Sequence, residues 1–90
     1  MSNHTTYAKH LVATPGVLET VPRHEIFAAL ERHQRCDWGD VCPSDWKQND
    51  YALKNGLRLL SSYRAENGTT FWIITEADRS VTTILLPEDY

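Results

Sequence analysis

No apolar run in the sequence comes near the roughly 18 residues a membrane-spanning helix requires, so no membrane contact is expected. The start, Met1-Ser2-Asn3-His4-Thr5-Thr6, lacks the basic opening and apolar stretch of a signal peptide, and a cytoplasmic location is the expectation. Positive charge is also scarce, with nine Lys and Arg against twelve Asp and Glu and a net charge of −3. Nucleic-acid binding without sequence preference needs a basic face, so no direct nucleic-acid contact is expected. Cysteine is limited to Cys36 and Cys42, read as reduced thiols in that compartment. No phosphate-cradling glycine loop, serine nucleophile elbow or H-E-x-x-H run occurs. Catalytic residues, cofactors and a bound metal are therefore not expected, and the chain reads as non-enzymatic. Its 90 residues fit a single domain spanning 1–90 and exclude a barrel or a cofactor domain joined to a substrate domain.

What is present is globular, with 41% hydrophobic and 10% aromatic residues. Residues 1–6 read as a flexible polar start, and Tyr7 to Ala13 as a short extended segment or the beginning of the fold. Thr14 and Pro15 are an N-cap and a first helical residue for one short turn over Val17–Val21. Pro22 opens a second helix to about Gln34, with Ile26, Leu30 and His33 at helical spacing. After the loop Arg35–Cys42, a third helix runs from Pro43 or Ser44 to Asn55, where Asn55-Gly56 is a stop signal. The period then changes from helical to two. Leu57–Arg64, Thr69–Glu76 and Val81–Leu86 read as strands, the first two joined at Asn67-Gly68, a strong hairpin signal. The expected fold is α+β, two to three N-terminal helices packed on a three-stranded antiparallel β-meander. The central strand is apolar on both faces, so the face without helices needs cover from the N-terminal region or a partner.

Negative charge is concentrated. The segment Cys36–Asp50 carries Asp37, Asp40, Asp45 and Asp50 with Lys47 as its only base, a net −3 equal to that of the whole chain. Two readings follow. In one, Asp37, Asp40 and Asp45 complement a basic protein partner and Trp38 and Trp46 anchor it. In the other, the tryptophans pack the loop onto the core, Asp45 stabilises a helix N-terminus, and Asp37 and Asp40 are turn residues. The tip Thr75–Ser80 divides the same way. Glu76 or Asp78 pairs with Arg79 to fix the turn, or Glu76, Asp78 and Arg79 form a recognition tip.

Three further constellations are present. Asp37 and Asp40 as an acid/base pair would need a cleft to separate their pKa values. His24, His33, Cys36 and Cys42 are spaced H-x8-H-x2-C-x5-C, in which only His33 and Cys36 form the close pair usual in zinc sites. A thiol site on His33, Cys36 and Cys42 would need an adjacent base and an orienting group. More simply, His33 is a half-buried histidine and the cysteines are free thiols, one of them buried. A structural homodimer is also open, through the apolar strand Phe71–Ile74 and an edge at Val81–Leu86.

Several runs together carry a resemblance: Val12-Ala13-Thr14-Pro15-Gly16, Asp37-Trp38-Gly39-Asp40, Arg58-Leu59-Leu60-Ser61, Trp72–Ser80, and Thr82–Pro87 with Tyr90. Over residues 11–90 the chain resembles a family of very small bacterial proteins borne on plasmids and integrative elements. Its members are labelled plasmid-related proteins or type I restriction methylation subunits. The second label conflicts with length, since a methyltransferase needs a cofactor-binding α/β domain. Where that family has glycine, this chain has Cys36, which weakens the metal and two-thiol readings. The resemblance implies a mobile-element setting. A small acidic protein there can inhibit a nucleic-acid-binding host defence complex, of the CRISPR or restriction kind, by occupying its basic groove.

Overall fold

A computed structural model describes residues 5–90. The elements in chain order are strand β1 (His10–Ala13), helices α1 (Pro15–Thr20), α2 (Arg23–Gln34) and α3 (Pro43–Asn55), strands β2 (Leu59–Arg64), β3 (Thr70–Thr75) and β4 (Val81–Leu85), and a closing 3-10 turn (Pro87–Asp89). The architecture is α+β. The flexible start expected for residues 1–6 falls partly, over residues 1–4, outside the described residues. Thr5 and Thr6 are tied down. Thr6 is buried and its hydroxyl donates to the Gln34 carbonyl at 2.7 Å, while the Thr5 carbonyl accepts from Arg79 Nε.

The helix boundaries follow from local chemistry. The Thr14 hydroxyl accepts from the Val17 amide at 3.3 Å, and Pro15 sits where a helix needs no donor. Pro22 precedes α2, and Pro43 opens α3 with Asp45 in its first turn, against the positive end of the helix dipole. Gly56 ends α3 in the left-handed region, φ 64°.

The sheet differs from the expected three-stranded meander. It has four strands in the order β1-β4-β3-β2. β2, β3 and β4 pair antiparallel, while β1 lies parallel to β4 from His10 opposite Val81 to Ala13 opposite Ile84. A strand thus precedes the helices, and β4, expected as an edge, is interior. A parallel partner is reached through a long crossover and leaves no turn signal in the sequence.

One sheet face holds the main core. Tyr63, Phe71, Ile73 and Ile84 pack against Val17, Val21, Ile26 and Ala29 of the α1–α2 region. A second cluster of Trp38, Ala52 and Leu59 joins α3 to the β2 edge. Among the described residues, cover on the opposite face comes from the C-terminal turn. The Tyr90 ring meets Trp72 edge-on at 5.9 Å between centroids, and Arg58 Nη1 donates to its hydroxyl at 2.7 Å. Leu60 and Thr83 remain half-buried and Val12 exposed on that face.

Candidate functional site

The acidic segment is built on the end of α2. Its last turn closes with two bonds, from the Cys36 amide to the His33 carbonyl (3.1 Å) and from the Asp37 amide to the Arg32 carbonyl (2.8 Å). This closure places Cys36 in the left-handed region, φ 67°, which favours glycine. Replacing Cys36 with Gly is expected to stabilise the fold by about 0.5–1 kcal/mol. Partial loss of its packing against the Trp38 cluster keeps the gain below the full backbone cost. Chemical denaturation of both forms measures the difference, and a loss on substitution would show that the packing wins.

Beyond Cys36 the chain is pinned from both sides. Asp37 accepts from Arg32 Nε at 2.8 Å and from the Gly39 amide at 3.2 Å. The Arg32 bond is the main reason its carboxyl is held below the ordinary carboxylate range. The Tyr63 hydroxyl donates to the Asp37 carbonyl at 2.7 Å, and burial pushes the Tyr63 pKa up to about 12. Trp38 is fully buried, with its indole N–H on Asp50 at 3.0 Å and its ring edge-on to His33. Gly39 bridges to Ser62 of β2: the Ser62 amide donates to the Trp38 carbonyl and the Asp40 amide to the Ser62 carbonyl. Asn49 continues this edge treatment, donating to the Leu60 carbonyl at 2.7 Å and accepting from the Leu60 amide at 3.1 Å.

The four aspartates therefore divide. Asp37 and Asp50 are engaged by Arg32 and Trp38. Asp40 and Asp45, exposed like Asp50, have no side-chain hydrogen bond or ion pair among the described residues and lie on either side of exposed Cys42 and Pro43. Trp38 has no surface to offer a partner, and its role is to pack the loop onto the core. Trp46 is half-buried against the Trp38 cluster. Asp45 also lines a groove of about 250 Å³ between α3 and β2, with Val41, Gln48, Asn49, Arg58 and Leu60. Arg58 reaches Glu76 at 3.7 Å, which connects this groove to the β3–β4 tip.

The tip is not held by a carboxylate on Arg79. Arg79 is buried, takes φ 60°, and donates to the carbonyls of Thr5, Leu57, Glu76 and Ala77 at 2.7–3.2 Å. Its Nη2 has no partner among the described residues. It fastens the N-terminal approach and the α3–β2 joint to the turn. Asp78 is exposed, accepts from the Ser80 amide at 2.9 Å, and has its pKa lowered by the hydrogen bonds to Ser80.

His33 is fully rather than half buried. Its Nδ1 is 2.6 Å from the Ser61 hydroxyl and its Nε2 is 2.9 Å from the Thr75 hydroxyl, which in turn is 2.8 Å from the Thr82 hydroxyl. Burial, with a smaller push from the positive charge of Arg79, lowers its pKa to about 4. Both ring nitrogens are occupied, so neither is free to ligate a metal or to take a thiol proton. The cysteines differ from expectation too, since neither is buried: Cys36 is intermediate and Cys42 exposed. Burial and then Asp50 raise the Cys36 pKa, away from the thiolate that a nucleophile or ligand needs. Among the described residues, no group of three or more His, Cys, Asp or Glu is placed to hold a metal ion.

Residues outside the expected set carry much of the geometry. Ser61 and Thr75 sit in line with the buried alternations Leu59–Tyr63 and Phe71–Ile73, the signal that could have found them. Asn49 gave only the signal of a polar residue within an apolar helix stripe. Comparison with known protein families, with curated proteins and with solved structures finds no match to this chain.

Proposed function

We propose that the chain is a non-catalytic protein-binding module of a mobile genetic element that captures a basic partner on its Asp40–Asp45 shoulder. A nucleic-acid-binding host defence complex, whose basic groove this surface would occupy, is the partner class. The observation that carries the reading is the division of the acidic segment. Asp37 and Asp50 are tied by hydrogen bonds to Arg32 and the Trp38 indole, while the exposed Asp40 and Asp45 carry no side-chain hydrogen bond or ion pair among the described residues, and Asp40 stands on a backbone pinned to β2. Carboxylates held on a rigid element lose little entropy on docking, and their field steers a positively charged groove. The half-buried Trp46 and the groove lined by Asp45, Arg58 and Leu60 add apolar surface beside the charge. The mobile-element setting rests on the sequence resemblance.

The test is capture from extracts of a bacterial host by the tagged chain and by its Asp40→Lys/Asp45→Lys variant. Both substitutions are at exposed positions, so the variant is expected to stay folded. The expected result is a basic nucleic-acid-binding protein that is released by added duplex DNA and is not held by the variant. Equal capture by the folded variant, or capture indifferent to DNA, would sink the reading.

A further inference from the structure

The two edges of the sheet are treated differently, and among the described residues the β1 edge is the one left open. The His10 amide donates to the Ser80 carbonyl and the Thr14 amide to the Ile84 carbonyl, both at 3.0–3.2 Å. Alternation along a strand then turns the Val12 backbone toward β4 as well. The N–H and C=O groups of Leu11 and Ala13 point the other way, off the sheet.

These outward groups are self-complementary. When a second β1 lies antiparallel with its Val12 opposite Val12, each Leu11 faces the other copy's Ala13. Each such pair exchanges N–H to C=O bonds in both directions, the closely bonded pairing of an antiparallel ladder. The side chains agree with this register. Leu11 is 51% exposed and Val12 48%, and on the helix side Leu18 (43%) and Phe27 (59%) flank Leu11 along a groove of about 150 Å³. A two-fold axis at Val12 brings these grooves together on the same side of a joined sheet.

Charge selects the same arrangement. The beginning of β1 is basic, with exposed Lys9 just before it and exposed His10 in it. Its end is acidic: the Thr14 hydroxyl donates to Asp89 Oδ2 at 2.8 Å, with Glu88 and Glu19 exposed nearby in sequence. Antiparallel pairing sets Lys9 of each copy opposite Pro15 of the other, beside the Thr14–Asp89 pair, and does so twice. A parallel pairing would put like ends together. The acidic Asp40–Asp45 shoulder flanks the β2 edge, at the far side of the sheet, and does not oppose this approach.

We infer that the β1 edge is an interface for a second copy of this chain, joined antiparallel through Leu11 and Ala13 about a two-fold axis at Val12. The dimer is independent of the partner-binding reading.

Sedimentation of the full chain at two concentrations about a hundredfold apart tests it, with amide exchange followed in parallel. The expected result is a rise toward twice the 10.3 kDa of one chain at the higher concentration. The amides of Leu11 and Ala13 should become protected with that rise, while Val12 is protected at both concentrations. Ala13→Pro removes one outward donor and leaves the β4 ladder intact, so it should stay folded and sediment as one chain. Leu11→Lys, which adds charge without touching the backbone, should do the same. A chain of single mass at both concentrations overturns the inference. So does a dimer that persists in folded Ala13→Pro and Leu11→Lys, which would join through another surface. Protection of Leu11 and Ala13 without a change in mass also overturns it.

Discussion

Gly39→Ala is expected to destabilise the fold by about 3 kcal/mol or more, lowering Tm by roughly 12–24 °C for a domain of this size. Two costs add. Gly39 has φ 77°, a conformation that L side chains resist. The added Cβ would also overlap the Ser62 carbonyl oxygen and approach the Tyr63 ring to 2.8 Å. The first obstacle is backbone, so no rotamer change relieves it. The loop must lift from β2, losing the Trp38–Ser62 and Asp40–Ser62 bonds and straining the Tyr63 hydroxyl bond to Asp37. Gly68→Ala is the control. Gly68 has φ 90° but nothing within 4 Å of the new atom, so only the conformational cost of about 1 kcal/mol applies. Thermal denaturation of both variants decides. If Gly39→Ala costs no more than Gly68→Ala, the loop is not pinned as described. Because Asp40 sits next to Gly39, the same variant should weaken partner capture more than its loss of stability alone explains.

Acid should destabilise the chain well above the range where carboxylates titrate. In the unfolded chain His33 takes a proton near its ordinary pKa of about 6.5. In the fold that pKa is lowered to about 4. A depressed folded pKa means the unfolded state binds the proton first. The contribution is therefore complete above pH 6.5 and is lost as the pH falls toward 4. The loss amounts to about 3 kcal/mol from this one residue. Urea midpoints measured from pH 7.5 to 4 should trace the loss. His33→Gln should lower stability by about 1–3 kcal/mol at neutral pH, through imperfect bonding to Ser61 and Thr75. It should also flatten the curve between pH 6.5 and 4. A variant that keeps the full acid slope would assign the slope to other groups. The Asp37–Arg32 pair adds a second, lower window. Its depressed carboxyl contributes above the ordinary Asp pKa and is lost as the pH falls through the folded value.

Local chemistry made the helices and the meander legible. Thr14-Pro15, Pro22, Pro43 and Asn55-Gly56 are stop and start signals whose physics lies within a few residues, and the helix limits follow them. The alternation Leu59, Ser61, Tyr63 likewise fixed which side of β2 faces inward. What escaped was non-local. β1 is four residues long, too short to display a period, and its parallel partner lies about seventy residues away with no turn between them. The burial of His33 depends on hydroxyls from β2 and β3, and the helix pattern alone marks it only as lying on the inner side. Arg79 resembles a charged turn residue in sequence. Its burial arises because three separate segments turn carbonyls toward one point. The aspartate cluster was visible as composition, but which members are free depends on Arg32 and the Trp38 indole. The candidate site was therefore located by sequence and narrowed by geometry, from the acidic segment to Asp40 and Asp45.

Asn49 and the Trp38–Asp40 stretch have a consequence for how the sheet can grow. The Asn49 side chain stands in for a neighbouring strand at Leu60, and the loop backbone does so at Ser62. Between them they occupy bonding positions that another molecule would need on that flank. Growth is thus possible only on the other flank, and a body with a single adhesive side closes on itself after one joining event. Filament formation requires two such sides. The carboxamide of one helical residue, at the edge opposite β1, thereby sets an upper limit on assembly size.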